Sequence, residues 1–352
     1  KFLMKTFCVC GGGSMGHVIS AWLSAKSNLE VNVLTSKPHL WHEVITISTP
    51  NGKTVKGKLS KISSDPADVI PQSDIVLLCL PGFLIREKLC EIKPYLNEKA
   101  YVGSVFSSSG FFFEALKILE HHQPIWGFQR VPFISRVNVY GKSARLLGFK
   151  EYYNIAIEHV TDKQKSNFTQ FISDCFDRPT RLLNNYYEAS LTNSNPLLHT
   201  SRLYSLFGGD NEGKVYPRMI LFYEEFSEYA ADLLIKMDTE FFNLLSVLPV
   251  SDSYLPPILD YYESHNAETL AAKLRSIESF KGIISPMKET KDGWVADYSN
   301  RYFTEDFPFG LHYIWELAHE KGIQVPNIDM VYEWGIQRCN VKSNQELTPT
   351  TE

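Results

Sequence analysis

The sequence has little of what marks membrane, secreted or nucleic-acid-binding proteins. No apolar run reaches the roughly 18 residues that a membrane-spanning helix needs, and we expect no signal peptide. The 352 residues carry a formal net charge of −5, so no basic field favours nucleic acid or an anionic membrane. Repeats and low-complexity segments are also missing. With 44% hydrophobic residues, the composition is that of a globular protein long enough for two domains.

Cysteine and histidine patterns typical of metal sites are missing as well. Cys8-x-Cys10 resembles half of a zinc site, but no second Cys/His pair stands at zinc spacing. We therefore predict no metal, and buried thiols in a reducing compartment, which favours a cytoplasmic location. The six cysteines are Cys8, Cys10, Cys79, Cys90, Cys175 and Cys339.

A glycine-rich turn near the N-terminus is the most informative motif that is present. Gly11, Gly13 and Gly16 stand at G-x-G-x-x-G spacing between an apolar strand pattern and a helix pattern. The first glycine permits a sharp turn, the second lets a pyrophosphate approach the backbone, and the third allows close packing of the helix. The helix N-terminus attracts the phosphates. We predict a dinucleotide site that also includes Ser14 and Met15, against the alternative of a plain glycine turn.

The pattern of apolar residues changes along the chain and predicts two domains. The first half alternates strand and helix patterns, which implies a doubly wound, mostly parallel sheet. The second half has apolar residues at helical spacing and predicts an all-helical domain. We place the domains at 1–180 and 181–340, with a frayed tail at 341–352. Predicted strands lie at 31–34, 75–80, 100–105, 125–131 and 144–149, a hairpin at 45–59, and helices at 17–27, 83–90, 191–207, 219–245, 267–281 and 309–321.

The end of the second strand indicates which cofactor is bound. An acidic residue there would accept the ribose 2′-hydroxyl of NAD, but the sequence has Thr35, Ser36 and Lys37. Two hydroxyls and a cation suit a 2′-phosphate, so we favour NADP over NAD. The alternative is that Lys37 is a solvated surface cation. Leu80 and Pro81 follow the third predicted strand and are expected beside the nicotinamide.

Two polar segments of the second half carry candidate catalytic residues. His199 lies one turn into a predicted helix that begins near Asn195 and Pro196. Arg301 and Asp306 lie in a charged, aromatic loop before another helix. Spacing alone favours a structural histidine for His199 and a helix cap for Asp306.

Three motifs together resemble the NAD/NADP octopine/nopaline (opine) dehydrogenase family. They are Gly-Gly-Gly-Ser-Met-Gly-His at 11–17, Asn-Pro-Leu-Leu-His at 195–199, and Arg-Tyr-Phe-Thr-Glu-Asp-Phe-Pro at 301–308. The resemblance implies a Rossmann domain followed by a helical domain like that of 6-phosphogluconate dehydrogenase. Members of this family join an amino acid to a 2-oxo acid and reduce the imine.

The resemblance also assigns roles to individual residues. His199 matches the catalytic histidine, Asp306 its paired aspartate, and Arg301 an arginine suited to a substrate carboxylate. Condensation expels a carbonyl oxygen as water and needs a proton donor, which a histidine can be. We add Asn195 and Arg130 as substrate-binding candidates, although a structural ion pair is an equal explanation for Arg130. A homodimer is a further expectation.

Two other functions remain open at this point. A related NADP-dependent carbonyl or 2-hydroxy-acid reductase, similar to ketopantoate reductase, would need only a carbonyl substrate. Such enzymes use a catalytic lysine, and the His/Asp pairing argues against them. A non-catalytic dinucleotide-binding protein would bind the cofactor without turnover. The sequence does not identify the amino acid, the 2-oxo acid or the product stereochemistry.

Overall fold

Two units of different architecture make up the chain, and a computed structural model describes them over residues 4–192 and 194–339. The first unit comprises residues 1–192 and the second residues 193–352. The first unit extends beyond the expected boundary at residue 180, because the strand Thr180–Leu182 and the helix Tyr186–Ser190 pack on its main sheet. The expected frayed tail at 341–352 lies outside the described residues.

The described part of the first unit contains two β-sheets. Its strands are β1 (Lys5–Cys10), β2 (Leu29–Leu34), β3 (Val44–Ser48), β4 (Thr54–Lys58), β5 (Ile62–Ser63), β6 (Ile75–Leu78), β7 (Tyr101–Ser104), β8 (Ile125–Phe128), β9 (Phe133–Val139), β10 (Ser143–Phe149), β11 (Tyr153–Glu158) and β12 (Thr180–Leu182). The main sheet has the order β12-β11-β8-β7-β6-β1-β2-β5. Only the β8–β11 pair within it is antiparallel. The predicted doubly wound, mostly parallel sheet is confirmed.

The central strands β1, β6 and β7 are almost wholly buried because both faces of the main sheet are covered. In β1, Phe7 and Val9 belong to the core on one face, whereas Cys8 and Cys10 belong to the core on the other. The covering helices are α1 (Ser14–Ser24), α2 (Pro66–Val69), α3 (Gly82–Ile92), α4 (Phe111–Ile118), α5 (Asp162–Phe176) and α6 (Tyr186–Ser190). The first of them starts and ends three residues before the prediction of 17–27, directly after the glycine turn.

A second sheet, of order β4-β3-β10-β9, packs on α1. The hairpin predicted at 45–59 is confirmed as β3 and β4. The assignment of 144–149 to the parallel sheet was wrong, because this segment is β10 of the second sheet. Its buried and exposed residues alternate, which is the pattern of a strand with one solvated face and not of a strand covered on both sides.

Over residues 194–339, which the structure describes, the regular structure of the second unit is helical apart from one hairpin. Its helices are α7 (Asn195–Phe207), α8 (Glu228–Leu245), α9 (Ile258–Tyr261), α10 (Ala267–Ser276), α11 (Arg301–Thr304), α12 (His312–Glu320) and α13 (Pro326–Arg338). The hairpin consists of β13 (Met287–Thr290) and β14 (Gly293–Ala296), so the unit is not all-helical. The helix predicted at 219–245 begins only at Glu228, where the Ser227 side chain accepts from the Ala230 N–H. Before it, Tyr216 and Leu221 form isolated bridges to Trp294 and Ile284, and residues 222–225 form a turn.

Three further expectations can be compared with the structure over the residues that it describes. None of the helices there combines the length and hydropathy that a bilayer-spanning segment needs. No group of three or more metal-ligating side chains lies close enough to hold an ion in this part of the chain. All six cysteines are free thiols, but Cys90 on α3 is exposed and Cys339 is only half-buried, so the expectation of buried thiols was wrong for Cys90 and only partly met at Cys339.

Candidate active site

The glycine turn has the geometry that a dinucleotide phosphate requires. Gly11 has φ +129°, and a Cβ there would collide with the Cys79 carbonyl oxygen. A Cβ on Gly16 would collide with the Gly11 carbonyl, so this glycine lets α1 pack closely against the turn. Gly13, just before α1, is different, because its Cβ would meet nothing within 4 Å. The backbone at Gly13 is therefore open to a pyrophosphate, and the start of α1 faces it with free N–H groups.

Other predicted cofactor residues lie around the same turn. The side chain of Leu80 lies beside Gly11, and the exposed Pro81 immediately precedes α3. Ser14 begins α1, where its hydroxyl lies 3.2 Å from that of Ser135, and Met15 packs against the core.

The end of β2 brings together the predicted ribose-side residues and one that the sequence did not indicate. Thr35 is buried, whereas Ser36 and Lys37 are exposed. The Lys37 ammonium lies 5.9 Å from the centre of the Tyr140 ring. The hydroxyls of Tyr140 and Thr35 both approach Gly12. Tyr140 belongs to the turn between β9 and β10, so no local pattern could place it here.

A buried histidine fastens the glycine turn to the β9–β10 turn. The Gly141 N–H donates to His17 Nε2 at 2.7 Å, so the ring proton is on Nδ1, which donates to the Gly13 carbonyl at 2.8 Å. Trp41 stacks on the ring with centroids 4.2 Å apart. Burial lowers the pKa of His17, in agreement with a neutral imidazole that donates from one nitrogen and accepts at the other.

In the second unit, α7 brings His199 to Asp306. Asn195 and Pro196 are the first two residues of α7, and Ser194 precedes it without a side-chain cap. Asp306 directly precedes a π-helical segment, Phe307–Leu311, a distortion common at functional sites.

A glycine in the π-helical segment allows the two helical segments to approach closely. A Cβ on Gly310 would lie only 3.1 Å from Pro196 Cγ. This close packing explains how two residues 107 positions apart meet, because Pro196 lies one turn before His199 and Gly310 one turn after Asp306.

The histidine and the aspartate form a hydrogen-bonded pair. His199 Nδ1 lies 2.8 Å from Asp306 Oδ2, and the two side chains are 12% and 18% exposed. Burial raises the pKa of the Asp306 carboxyl, and the neighbouring His199 partly offsets this by favouring the carboxylate. An imidazole that donates Nδ1–H to Asp306 presents Nε2 for proton transfer.

A tyrosine that the sequence did not indicate is hydrogen-bonded to Nε2 of His199. The Tyr223 hydroxyl lies 3.0 Å from His199 Nε2, and Tyr302 packs edge-on against the imidazole with ring centroids 4.7 Å apart. Tyr223 falls within the segment wrongly predicted as helical, and only its aromatic neighbours could have marked it.

The predicted substrate-binding residues have unequal environments. Arg301 is 83% exposed and forms a two-pronged ion pair with Glu305. Asn195 is half-buried at the start of α7. Arg130, in the first unit, is exposed and forms no ion pair within the residues the structure covers. Burial, and to a smaller extent the positive charge of Arg130, lowers the pKa of the Lys150 ammonium. The charged group that Arg130 acts on is therefore another cation, and the ion-pair explanation for Arg130 finds no support.

Comparison with known proteins relates both units to nicotinamide-dependent enzymes. The model of the NAD/NADP octopine/nopaline dehydrogenase alpha-helical domain matches residues 182–339, and that of ketopantoate reductase matches residues 7–106. Tauropine dehydrogenase from Arabella iricolor is 28% identical over 94% of this chain and 90% of its own length.

Two solved structures of dehydrogenases have the same fold. Octopine dehydrogenase with NADH and L-arginine is 24% identical, covers 95% of this chain and 89% of its own, and has a TM-score of 0.79. Yersinopine dehydrogenase with NADP+ is 14% identical, covers 96% and 91% of the two chains, and has a TM-score of 0.68.

Proposed function

Because this chain belongs to the NAD/NADP octopine/nopaline dehydrogenase family, we propose that it couples the amine of an amino acid to a 2-oxo acid. The reverse oxidation follows from the same groups. The observation that carries this proposal is the 2.8 Å hydrogen bond between His199 and Asp306, which joins the two family motifs of the second unit.

The chain's own residues account for the proton movements of the condensation. The amine nitrogen attacks the carbonyl carbon, and the resulting carbinolamine loses its hydroxyl as water while the nitrogen lone pair forms the C=N bond. Asp306 holds the His199 ring in one orientation through Nδ1, so Nε2 is the nitrogen that supplies the proton needed by the departing oxygen. In the reverse direction, Nε2 is the base that finally receives the proton of the attacking water. When bound, the nicotinamide supplies the hydride that reduces the C=N bond.

We propose that Arg301 and Asn195 bind substrate in the second unit, and Arg130 in the first. An arginine fork suits a carboxylate. The positive charge of the exposed Arg301 guanidinium acts on the Asp306 carboxyl, which supports this proposal. Glu305 competes for the same fork, so the substrate carboxylate must displace or share it. Arg301→Gln should raise KM for the 2-oxo acid; a rise in KM for the cofactor instead would show that the assignment is wrong.

The cofactor is a nicotinamide dinucleotide, and we propose NADPH as the preferred form. Support comes from the hydroxyls of Thr35 and Ser36, the Lys37 cation, and the absence of an acidic residue among positions 35–38. Lys37→Ala should then raise KM for NADPH about tenfold and leave KM for NADH nearly unchanged, because only NADPH carries the 2′-phosphate. Lys99→Ala, an exposed lysine of the same unit, is the control. Equal effects on both cofactors would contradict the assignment.

The decisive experiment follows nicotinamide absorbance with NADPH or NADH and pyruvate, with and without a pool of amino acids and taurine. We expect oxidation only when an amine is present, together with a secondary amine product detected by mass spectrometry. Oxidation without any amine would identify a carbonyl reductase. His199→Gln should abolish turnover while cofactor binding persists; His319→Gln, which alters an exposed histidine paired with Asp329, should not.

Small molecules are the binding partners that this function requires. A homodimer and a cytoplasmic location stay predictions, which analytical ultracentrifugation and fractionation of the source cells would test.

A further inference from the structure

Both ring nitrogens of His199 are hydrogen-bonded within the second unit. Nδ1 donates to the Asp306 carboxylate at 2.8 Å, and Nε2 accepts from the Tyr223 hydroxyl at 3.0 Å. The nitrogen that must exchange protons with the substrate is therefore covered by a phenol. A substrate oxygen cannot reach Nε2 directly while this bond stands, so either Tyr223 moves aside or the proton passes through its hydroxyl.

The surroundings of Tyr223 resist movement. Its side chain is 4% exposed and its ring stacks on Phe280 with centroids 4.0 Å apart. The turn that carries Tyr223 is held by Arg202, whose guanidinium donates to the main-chain carbonyls of Leu221, Phe222 and Glu225 at 2.8–3.1 Å.

Arg202 also fixes the distance between the two groups. It is 2% exposed and lies in α7 three residues after His199. One helix therefore carries the histidine and also anchors the segment that places the phenol against it. Moving Tyr223 away would disturb hydrogen bonds to a buried guanidinium, which are expensive to lose.

We propose that the Tyr223 hydroxyl relays the proton between His199 Nε2 and the oxygen of the carbinolamine. This inference rests on the proposed function. Tyr223 is then a catalytic residue, since its hydroxyl is the group in contact with the departing oxygen, and Arg202 is its positioning residue.

The proton balance of the relay closes without any further reactant. The protonated imidazole gives its Nε2 proton to the Tyr223 oxygen as the phenol gives its own proton to the carbinolamine hydroxyl. The C–O bond breaks, water leaves with the bonding pair, and the nitrogen lone pair forms the C=N bond. Imidazole ends neutral and the phenol ends protonated. Burial, with smaller contributions from Tyr302, Tyr262 and Asp306, raises the pKa of Tyr223, so the phenol does not stay ionised between turnovers.

The test combines Tyr223→Phe with a proton inventory, in which kcat is measured across mixtures of H2O and D2O. Loss of a positioned acid–base group typically costs about 10²- to 10⁴-fold, and we expect kcat to fall by about 10²-fold. Cofactor affinity, measured by nicotinamide fluorescence, should be unchanged. A two-proton relay gives a curved inventory in the wild-type protein, which should become linear in the variant.

A matched control is available in the same unit. Tyr332 is buried and its hydroxyl lies 2.6 Å from His312 Nδ1, so Tyr332→Phe removes a comparable tyrosine–histidine hydrogen bond. It should lower Tm without changing kcat or the shape of the inventory. If Tyr223→Phe keeps its kcat and its inventory matches that of the wild-type protein, Tyr223 moves aside and the relay is wrong.

A measurement without turnover separates failure of the relay from failure of the proposed function. In 15N-histidine-labelled protein, Tyr223→Phe should shift the His199 Nε2 resonance, identified by its loss in His199→Gln, and leave Nδ1 in place. Arg202→Lys should shift Nε2 in the same direction, which a purely structural role would not require. If the Nε2 resonance has the same chemical shift in Tyr223→Phe as in the wild-type protein, the relay is wrong. If the wild-type protein oxidises no cofactor in any mixture of amine and 2-oxo acid, the proposed function is wrong.

Discussion

At the residue scale, the charge of Asp306 is the property that makes His199 useful. A carboxylate both orients the imidazole and stabilises its protonated form, whereas an amide can do neither reliably because it can present N–H₂ to Nδ1 and impose the wrong tautomer. Asp306→Asn should therefore lower kcat by about 10²-fold or more and leave the fold intact, since burial already opposes ionisation of this carboxyl. Steady-state kinetics and circular dichroism would check both points.

An exposed pair offers the control for that variant. His319 and Asp329 form a second imidazole–carboxylate hydrogen bond, at 2.7 Å, on the surface of the second unit. Asp329→Asn should leave kcat within twofold. Equal losses in the two variants would mean that Asp306 acts through stability and not through His199.

A buried carboxyl away from the active-site pair sets a pH dependence of stability. Asp238 in α8 is 8% exposed, and burial raises its pKa to about 6, although it accepts from the Ile258 N–H at 3.0 Å. The folded state therefore holds this proton up to a higher pH than the unfolded chain does. Its contribution to stability is fully present below pH 3.8 and is lost as the pH rises through about 6.

Thermal unfolding at pH 4.5 and 7.5 would detect this loss. The raised pKa corresponds to on the order of 3 kcal/mol in the free energy of unfolding. Asp238→Asn keeps an oxygen for the Ile258 N–H and should flatten the dependence. Asp232→Asn, which changes an exposed carboxylate paired with Lys236 on the same helix, should not.

At the scale of elements, His17 links the β1–α1 turn to the β9–β10 turn. Protonation would place an N–H against the Gly141 N–H, and burial depresses the pKa of this imidazole below its usual 6.5. The stability it contributes is therefore present above pH 6.5 and is lost as the pH falls through the depressed value. His17→Gln should weaken cofactor binding at neutral pH and remove this acid-dependent loss. Fluorescence titration of NADPH between pH 5 and 7.5 would measure both effects, with the exposed His39→Gln as control.

Elements whose sequence signals are contiguous could be predicted from the sequence, whereas elements whose position depends on residues distant in the chain could not. The strand–glycine–helix unit around Gly11 was predictable because turn, strand and helix signals are contiguous. The β10 strand was misassigned because its partners β3 and β9 lie elsewhere in the chain. Tyr223 was missed because its place depends on Arg202, and Tyr140 because it reaches Gly12 from another sheet. The pairing of His199 with Asp306 came from family resemblance, since spacing alone could not bring the two together.

At the scale of the whole molecule, the boundary of the first unit decides whether it can fold alone. Ala189 of α6 is fully buried in one of the two cores of the main sheet, and the Gln129 side chain donates to the Glu188 carbonyl at 3.0 Å. A fragment of residues 1–192 keeps these contacts and the β11–β12 pairing, whereas a fragment of residues 1–180 loses almost all of β12 and the whole of α6. We therefore propose 192 as the end of the cofactor-binding domain.

The two fragments should differ measurably in stability, although both contain the whole glycine turn. We expect 1–192 to unfold cooperatively and to bind NADPH with an affinity close to that of the full chain. Removing α6 exposes the apolar face that Ala189 and its neighbours cover, so 1–180 should melt at a lower temperature and bind more of a hydrophobic dye. Indistinguishable melting curves would place the boundary at 180, and would mean that α6 contributes nothing to the first unit despite its burial.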